Sequence, residues 1–172
     1  MTTICIFSGQ KSDSLVRTLL SIFRTKRVLL WREGIGRTKP PLEERADVVI
    51  LQNPDCRVIP GRCLLIFQQY GGPLPELEWE GNVAVVDSAD EKSQEVLKNC
   101  GLHTATCGFL SKDMATLSGV ADDSLTVSLQ RSIPSLYGRT LEPRDIVFPL
   151  EEGRDRQGAL LAVMAGILCE ML

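Results

Sequence analysis

Five short apolar runs in the first half of the chain limit its fold more than any other feature. They are Thr3 to Phe7 (TICIF), Arg27 to Trp31 (RVLLW), Asp47 to Leu51 (DVVIL), Cys63 to Phe67 (CLLIF) and Asn82 to Val86 (NVAVV). Each is nearly continuous, with little of the apolar–polar alternation that marks a strand with one wet face. Continuous apolar runs of this length suit strands covered on both sides by helices, as in a parallel sheet. Two helices fall between the runs. Ser12 to Phe23 carries Leu15, Leu19, Ile22 and Phe23 at helical spacing. Asp90 to Cys100 carries Val96 and Leu97 on one side and ends at Asn99-Cys100-Gly101, a C-terminal stop signal. The segments Leu42 to Arg45 and Pro54 to Arg62 are read as short connections, with at most one brief helix.

The second half has another rhythm. His103 to Cys107 and Ala115 to Val120 read as strands. Ser124 to Arg131 alternates, with Leu125, Val127 and Leu129 against Thr126, Ser128 and Gln130. Ile146 to Leu150 is a further short strand, and Tyr137-Gly138-Arg139 supplies a turn. This part is expected to be antiparallel, with one face in water. Arg156 to Leu172 closes the chain as an amphipathic helix whose apolar part, from Gly158, packs on the core. The expected class is α/β: a Rossmann-like, mostly parallel sheet flanked by helices, with an antiparallel β-hairpin extension, in one domain spanning residues 1–172.

Bulk composition narrows the function classes. Of 172 residues, 44% are hydrophobic and 24% charged, enough apolar material for a real core. A net charge of −3 argues against nucleic acid as the main partner, because phosphate binding needs a basic surface. The basic cluster Arg24-Thr25-Lys26-Arg27 is read as a solvated helix end. Met1-Thr2-Thr3 leads straight into an apolar run without the basic stretch of a secretory signal, and no apolar run is as long as a membrane span. A cytoplasmic protein with no membrane partner is expected. The six cysteines, at 5, 56, 63, 100, 107 and 169, form no C-x-x-C pair, so reduced thiols are expected. With His103 as the only histidine, zinc is not expected.

From Asn82 onward the order of pieces resembles the central domain of Mur ligases and folylpolyglutamate synthetases. Val85-Val86-Asp87-Ser88-Ala89-Asp90 stands where that family has a V-x-N-x-D-D turn. Thr106-Cys107-Gly108-Phe109-Leu110-Ser111 matches its T-x-G turn, and Asp113-Met114-Ala115 its following short motif. Val147-Phe148-Pro149-Leu150, then Gly153-Arg154-Asp155-Arg156-Gln157 and Gly158 to Val163 follow its last strand, G-x-H-N turn and closing helix. The resemblance implies a phosphate-binding loop, G-T-N-G-K-[ST], after the first strand. Aligned on the lysine, this chain reads Phe7-Ser8-Gly9-Gln10-Lys11-Ser12. Lys11 and Ser12 are kept, Phe7 and Gln10 replace the two glycines, and Gly9 is one place off. A bulky residue where backbone must approach phosphate should block the cradle. The family's metal-binding Glu has no counterpart in Ile50-Leu51-Gln52-Asn53. Its acid, histidine and carbamylated-lysine segment is matched by Phe67-Gln68-Gln69-Tyr70-Gly71-Gly72-Pro73, which holds none of these.

The resemblance therefore implies a domain without catalytic residues, acting as a scaffold, a regulatory protein or a self-associating protein, with a protein partner or a second copy and no cofactor. The alternative is a nucleotide-binding chain using Mg-ATP, alone or as a subunit of an amide ligase completed by another chain. Its candidate residues are Gly9, Lys11, Ser12, Asp87 and Asp90. Against each stands a plainer role: Ser12 or Asp13 as a cap of the first helix, and Asp87 and Asp90 as caps of the helix beginning near Asp90. Gly34-Ile35-Gly36 lacks the third glycine of a dinucleotide loop, and Pro40-Pro41 interrupts the helix that should follow it, so it reads as a surface loop. Cys107 and His103 share a strand face but sit about 13 Å apart at strand rise, too far for a catalytic pair. Asp122-Asp123 and Glu151-Glu152 read as solvated turns.

Overall fold

A computed structural model describes residues 1–9, 12–32, 46–54, 62–74, 81–98, 100–150 and 155–172. In chain order the elements are β1 (Thr2–Ser8), α1 (Asp13–Ile22), β2 (Val28–Arg32), β3 (Val48–Gln52), β4 (Cys63–Gln68), β5 (Val83–Asp87), α2 (Glu91–Leu97) and β6 (His103–Gly108). They continue with β7 (Ala115–Val120), β8 (Ser124–Leu129), β9 (Ile133–Pro134), β10 (Thr140–Leu141), β11 (Arg144–Pro149) and α3 (Arg156–Leu168). Nine strands form one sheet in the order β11-β8-β7-β6-β5-β4-β1-β3-β2, and β9 and β10 pair separately.

The five apolar runs all become parallel strands. Because side chains alternate across a strand, each run feeds two cores. Ile4, Ile6, Ile50, Leu64, Ile66, Val83 and Val85 face α1 and α3. Cys5, Phe7, Cys63, Leu65, Phe67, Ala84 and Val86 face the other way, toward Leu97 of α2. Leu65, Ile66 and Phe67 of β4 are all fully buried, so the central strand has no wet face to encode.

The antiparallel expectation holds for β8 and β11 but not for β6, which pairs parallel to β5. β7 runs parallel to β6, but the two meet only at Cys107↔Ala115 and Gly108↔Thr116. β7 therefore begins where β6 ends and carries the sheet past the carboxyl ends of the parallel strands. β8 pairs antiparallel to β7, and β11 antiparallel to β8. Leu125, Val127 and Leu129 are buried against the α3 side, while Thr126 and Ser128 stay half-buried on the other face.

Three expectations need correcting. The closing helix is not amphipathic: every residue from Gly158 to Leu168 is buried, because α3 packs against α1 and the sheet. It stops at Leu168, where Glu170 enters the left-handed region at φ 57 and the chain folds back. The second helix is shorter than its pattern, ending at Leu97. The short ladder β9–β10 was not anticipated, since two-residue strands carry too few side chains to show a period. Leu42 to Arg45, Gly34 to Gly36, Pro40-Pro41, Glu151-Glu152 and nearly all of Pro54 to Arg62 lie outside the described residues.

Candidate functional site at the carboxyl edge of the sheet

In open α/β sheets ligands bind beyond the carboxyl ends of the strands, so the polar residues there define the place to look. β1 ends in Ser8, β3 in Gln52, β4 in Gln68 and β5 in Asp87, each directly after an apolar stretch. Gly9 and Ser12 lie just beyond β1. Gln10 and Lys11, the other two residues of the loop, are outside the described residues.

Phe7 does not point into a phosphate cradle. It is the second-last residue of β1, 2% exposed, on the α2 face of the sheet. Its ring stacks on Phe67 at 5.0 Å between centroids and 13° between planes, and Tyr70 closes the cluster at 5.4 Å. Burial in this cluster raises the Tyr70 phenol above its ordinary value, and its hydroxyl donates to the carbonyl of Pro73 at 2.7 Å.

The described residues that lead into the loop after β1 are held by the rest of the chain. The Ser8 N–H donates to Asn53 Oδ1 at 2.8 Å, and Asn53 Nδ2 donates back to the Ser8 carbonyl at 3.1 Å. The Asn53 amide thus extends the β1–β3 ladder by one rung. It does so from the left-handed region (φ 46), which Asn tolerates better than most residues. The Gly9 N–H donates to the Gln68 carbonyl at 3.2 Å. A Cβ on Gly9 would lie 2.2 Å from the Gln69 carbonyl oxygen. Glycine at this position is accounted for by the close passage of the strand leaving β4.

Ser12 is the N-cap residue of α1, yet its hydroxyl makes no hydrogen bond to the helix. It accepts from Gln52 Nε2 at 2.5 Å. A second tie joins the same helix start to the sheet, the ion pair of Asp13 and Arg32 at 3.3 Å.

The two acids resolve differently. Asp90 is a cap. Its carboxylate accepts from Ser93 N at 3.1 Å, Ser93 Oγ at 2.7 Å and Gln69 N at 2.5 Å, so it closes α2 and holds the exit of β4 to it. Asp87 is not a cap. It turns toward α3, where Gln157 Nε2 donates to it at 2.8 Å, and its other oxygen accepts from Ala89 N at 2.7 Å. Asp155 caps α3 by accepting from the N–H groups of Gln157 and Gly158. The Asp155 N–H in turn donates to Ser14 Oγ at 3.0 Å, joining the starts of α1 and α3.

Cys107 lies beneath this edge on β6, fully buried. Burial first, then the carboxylates of Asp87 and Asp113, push its thiol well up. A protonated, inaccessible thiol is no nucleophile. Asp113 is 1% exposed; its Oδ2 accepts from Ser88 Oγ and Leu110 N, both at 2.9 Å. No group of three or more His, Cys, Asp or Glu side chains able to hold a metal ion occurs among the described residues.

Sequence reasoning missed Gln52, Asn53, Gln68 and Gln157 as the residues that organise this edge. The available signal was the polar pair closing each apolar run, Gln52-Asn53 and Gln68-Gln69. Among the described residues, four buried polar atoms here and close by find no partner: Arg32 Nε, Gln52 Oε1, Gln68 Oε1 and Asp113 Oδ1.

No protein-family model matches the chain, and no curated protein matches it. Solved structures do. The chain is similar to MurF from Acinetobacter baumannii at TM-score 0.58 and 12% identity, covering 99% of this chain and 43% of that one. It is similar to UDP-N-acetylmuramate:L-alanyl-gamma-D-glutamyl-meso-diaminopimelate ligase from Neisseria meningitides at TM-score 0.58 and 12% identity, covering 99% and 64%. A third likeness is to MurF ligase from Thermotoga maritima, a structure in complex with ADP, at TM-score 0.52 and 13% identity, covering 99% and 44%. The chain spans less than two thirds of each of these ligases, and what it shares with them is the fold of that part of a Mur ligase.

Proposed function

We propose that this chain is a Mur-ligase-like domain that has given up catalysis and works by association, as a scaffold or regulatory partner of another protein or of a second copy of itself. The observation that carries this reading is that Ser8, Gly9 and Ser12, the described residues of the segment aligned with the phosphate loop, are engaged by the rest of the chain. The Ser8 and Gly9 N–H groups donate to Asn53 and to the Gln68 carbonyl. The Ser12 hydroxyl, which the resemblance would assign to Mg²⁺, is engaged by Gln52. Gln52 and Gln68 are neutral amides at the strand ends where a metal site would need carboxylates, and neutral amides attract Mg²⁺ far less. Asp90, the acid best placed by its sequence position, is a helix cap with its oxygens occupied.

A second reading, a nucleotide-binding chain, is favoured by one feature. Ser12 leaves the first turn of α1 without a side-chain cap, and such N–H groups attract anions. Assay of phosphate release from millimolar Mg-ATP separates the two. The leading reading gives no release above the background of a Lys11→Ala control. Turnover that disappears in Lys11→Ala would replace it with the second.

A further inference from the structure

The opposite, amino edge of the sheet carries an open cleft of about 560 Å³. One wall is the entry to β4, β5 and β6, with Arg62, Gly81, Val83 and His103. The other is the turn between β9 and β10, with Pro134 and Leu136. That volume lies within the range of small-molecule sites, and the mixture of an apolar floor with few polar groups is typical of them.

Both walls are fixed by contacts that do not involve a ligand. In the turn, Ser135 Oγ accepts from the N–H groups of Tyr137 and Arg139 and donates to Glu170 at 2.6 Å. Arg139 pairs with Glu170 at 3.1 Å, and Leu136 N donates to the Leu168 carbonyl at 2.9 Å. The turn is thereby clamped to the end of α3. On the other wall, Asn82 Oδ1 accepts from Cys63 N at 2.8 Å, tying β5 to β4.

The two titratable side chains among the residues lining the cleft are Arg62 and His103. Neither makes a hydrogen bond or ion pair with another described residue, whereas Glu170 behind the turn is engaged by Arg139 and Ser135. The Arg62 side chain passes beside Gly81, which has φ 79; a Cβ there would lie 3.5 Å from Arg62 Cγ and 3.6 Å from Nε. Both residues line the cleft.

We propose that this cleft binds a small organic anion, an apolar body carrying one carboxylate or phosphate group. Arg62 and His103 receive the charged end, and Val83, Pro134 and Leu136 the apolar body. A guanidinium recognises either kind of anion through paired N–H donors. Because the cleft lies at the far edge from the β1 turn, the proposal stands or falls independently of nucleotide binding there.

The test is a titration of the isotope-labelled full chain with phenylacetate and with phenyl phosphate, followed by amide resonances, with benzyl alcohol as the uncharged probe. Saturable shifts at Gly81, Gly101 and Gly138 are expected for at least one anion below about 10 mM, and the alcohol should produce none. Arg62→Ala should weaken that binding about tenfold and His103→Ala about threefold, with the rest of the spectrum unchanged. The relative affinity of the two anions tells carboxylate from phosphate as the preferred head. Absence of saturation with both anions, equal shifts with the alcohol, or an affinity unmoved by Arg62→Ala would overturn the proposal. Shifts confined to Gly9 and Ser12 would overturn it too, and would point instead to the loop after β1.

Discussion

The two edges of the same sheet have opposite polar economies. At the carboxyl edge most described polar groups bind one another: Ser8 with Asn53, Gln52 with Ser12, Arg32 with Asp13, Asp87 with Gln157, Asp90 with Ser93 and Gln69. At the amino edge two basic side chains, Arg62 and His103, face a cleft with no protein partner among the described residues. The satisfaction at the carboxyl edge is incomplete, since the buried Gln52 Oε1 and Gln68 Oε1 find no partner among the described residues, whereas Arg62 and His103 at the amino edge are exposed to solvent. The usual place for ligands in an open α/β sheet is the first edge, and the anion site proposed above lies at the other.

That contrast can be broken most sharply at Cys107. If the carboxyl edge is closed, its thiol reacts with iodoacetamide only through unfolding. We expect labelling at least about a hundredfold slower than in the denatured chain, measured by mass spectrometry of the peptide containing residue 107. Next in size, Phe7→Ala removes the centre of the Phe7–Phe67–Tyr70 cluster and should cost about 3–5 kcal/mol in denaturant unfolding. A loss near zero would mean that Phe7 lies in the loop cradle after all. Asp90→Ala orphans the Gln69 and Ser93 N–H groups together and should cost about 2–3 kcal/mol, with Asp90→Asn recovering part of it. Smallest, Arg62→Ala and His103→Ala should each change stability by less than about 0.5 kcal/mol, since neither side chain holds the fold. A large loss from either would make the amino edge structural and erase the comparison.

The parallel half was legible because its strands are buried on both faces. A run such as Cys-Leu-Leu-Ile-Phe in β4 admits few other environments, and the alternation of Leu125, Val127 and Leu129 in β8 marks one wet face just as directly. The environment of α3 was harder. Its small residues, Gly158, Ala159, Ala162, Ala165 and Gly166, are all buried, and at Gly158 and Gly166 a Cβ would meet Leu15, Ile22 and Leu172 closely. The site was legible only in outline. Asp90 as a cap follows from its place before a helix, but Phe7, expected from its size to obstruct a phosphate, is instead buried in the core with Phe67 and Tyr70. That Gln52 would reach Ser12, or Gln157 reach Asp87 across 70 positions of sequence, depends on strand order, which residue pattern does not record. The amino-edge cleft was invisible for the same reason: Arg62, His103 and Leu136 belong to three separate parts of the chain.

On the proposed reading, the loop after β1 does not hold a nucleotide. Thermal unfolding with and without millimolar Mg-ATP tests it directly, because a ligand bound only to the native state stabilises by about 2.7 kcal/mol at a hundred times its dissociation constant. The proposed reading predicts the same melting temperature in both conditions. A rise of several degrees that disappears in Lys11→Ala would contradict it.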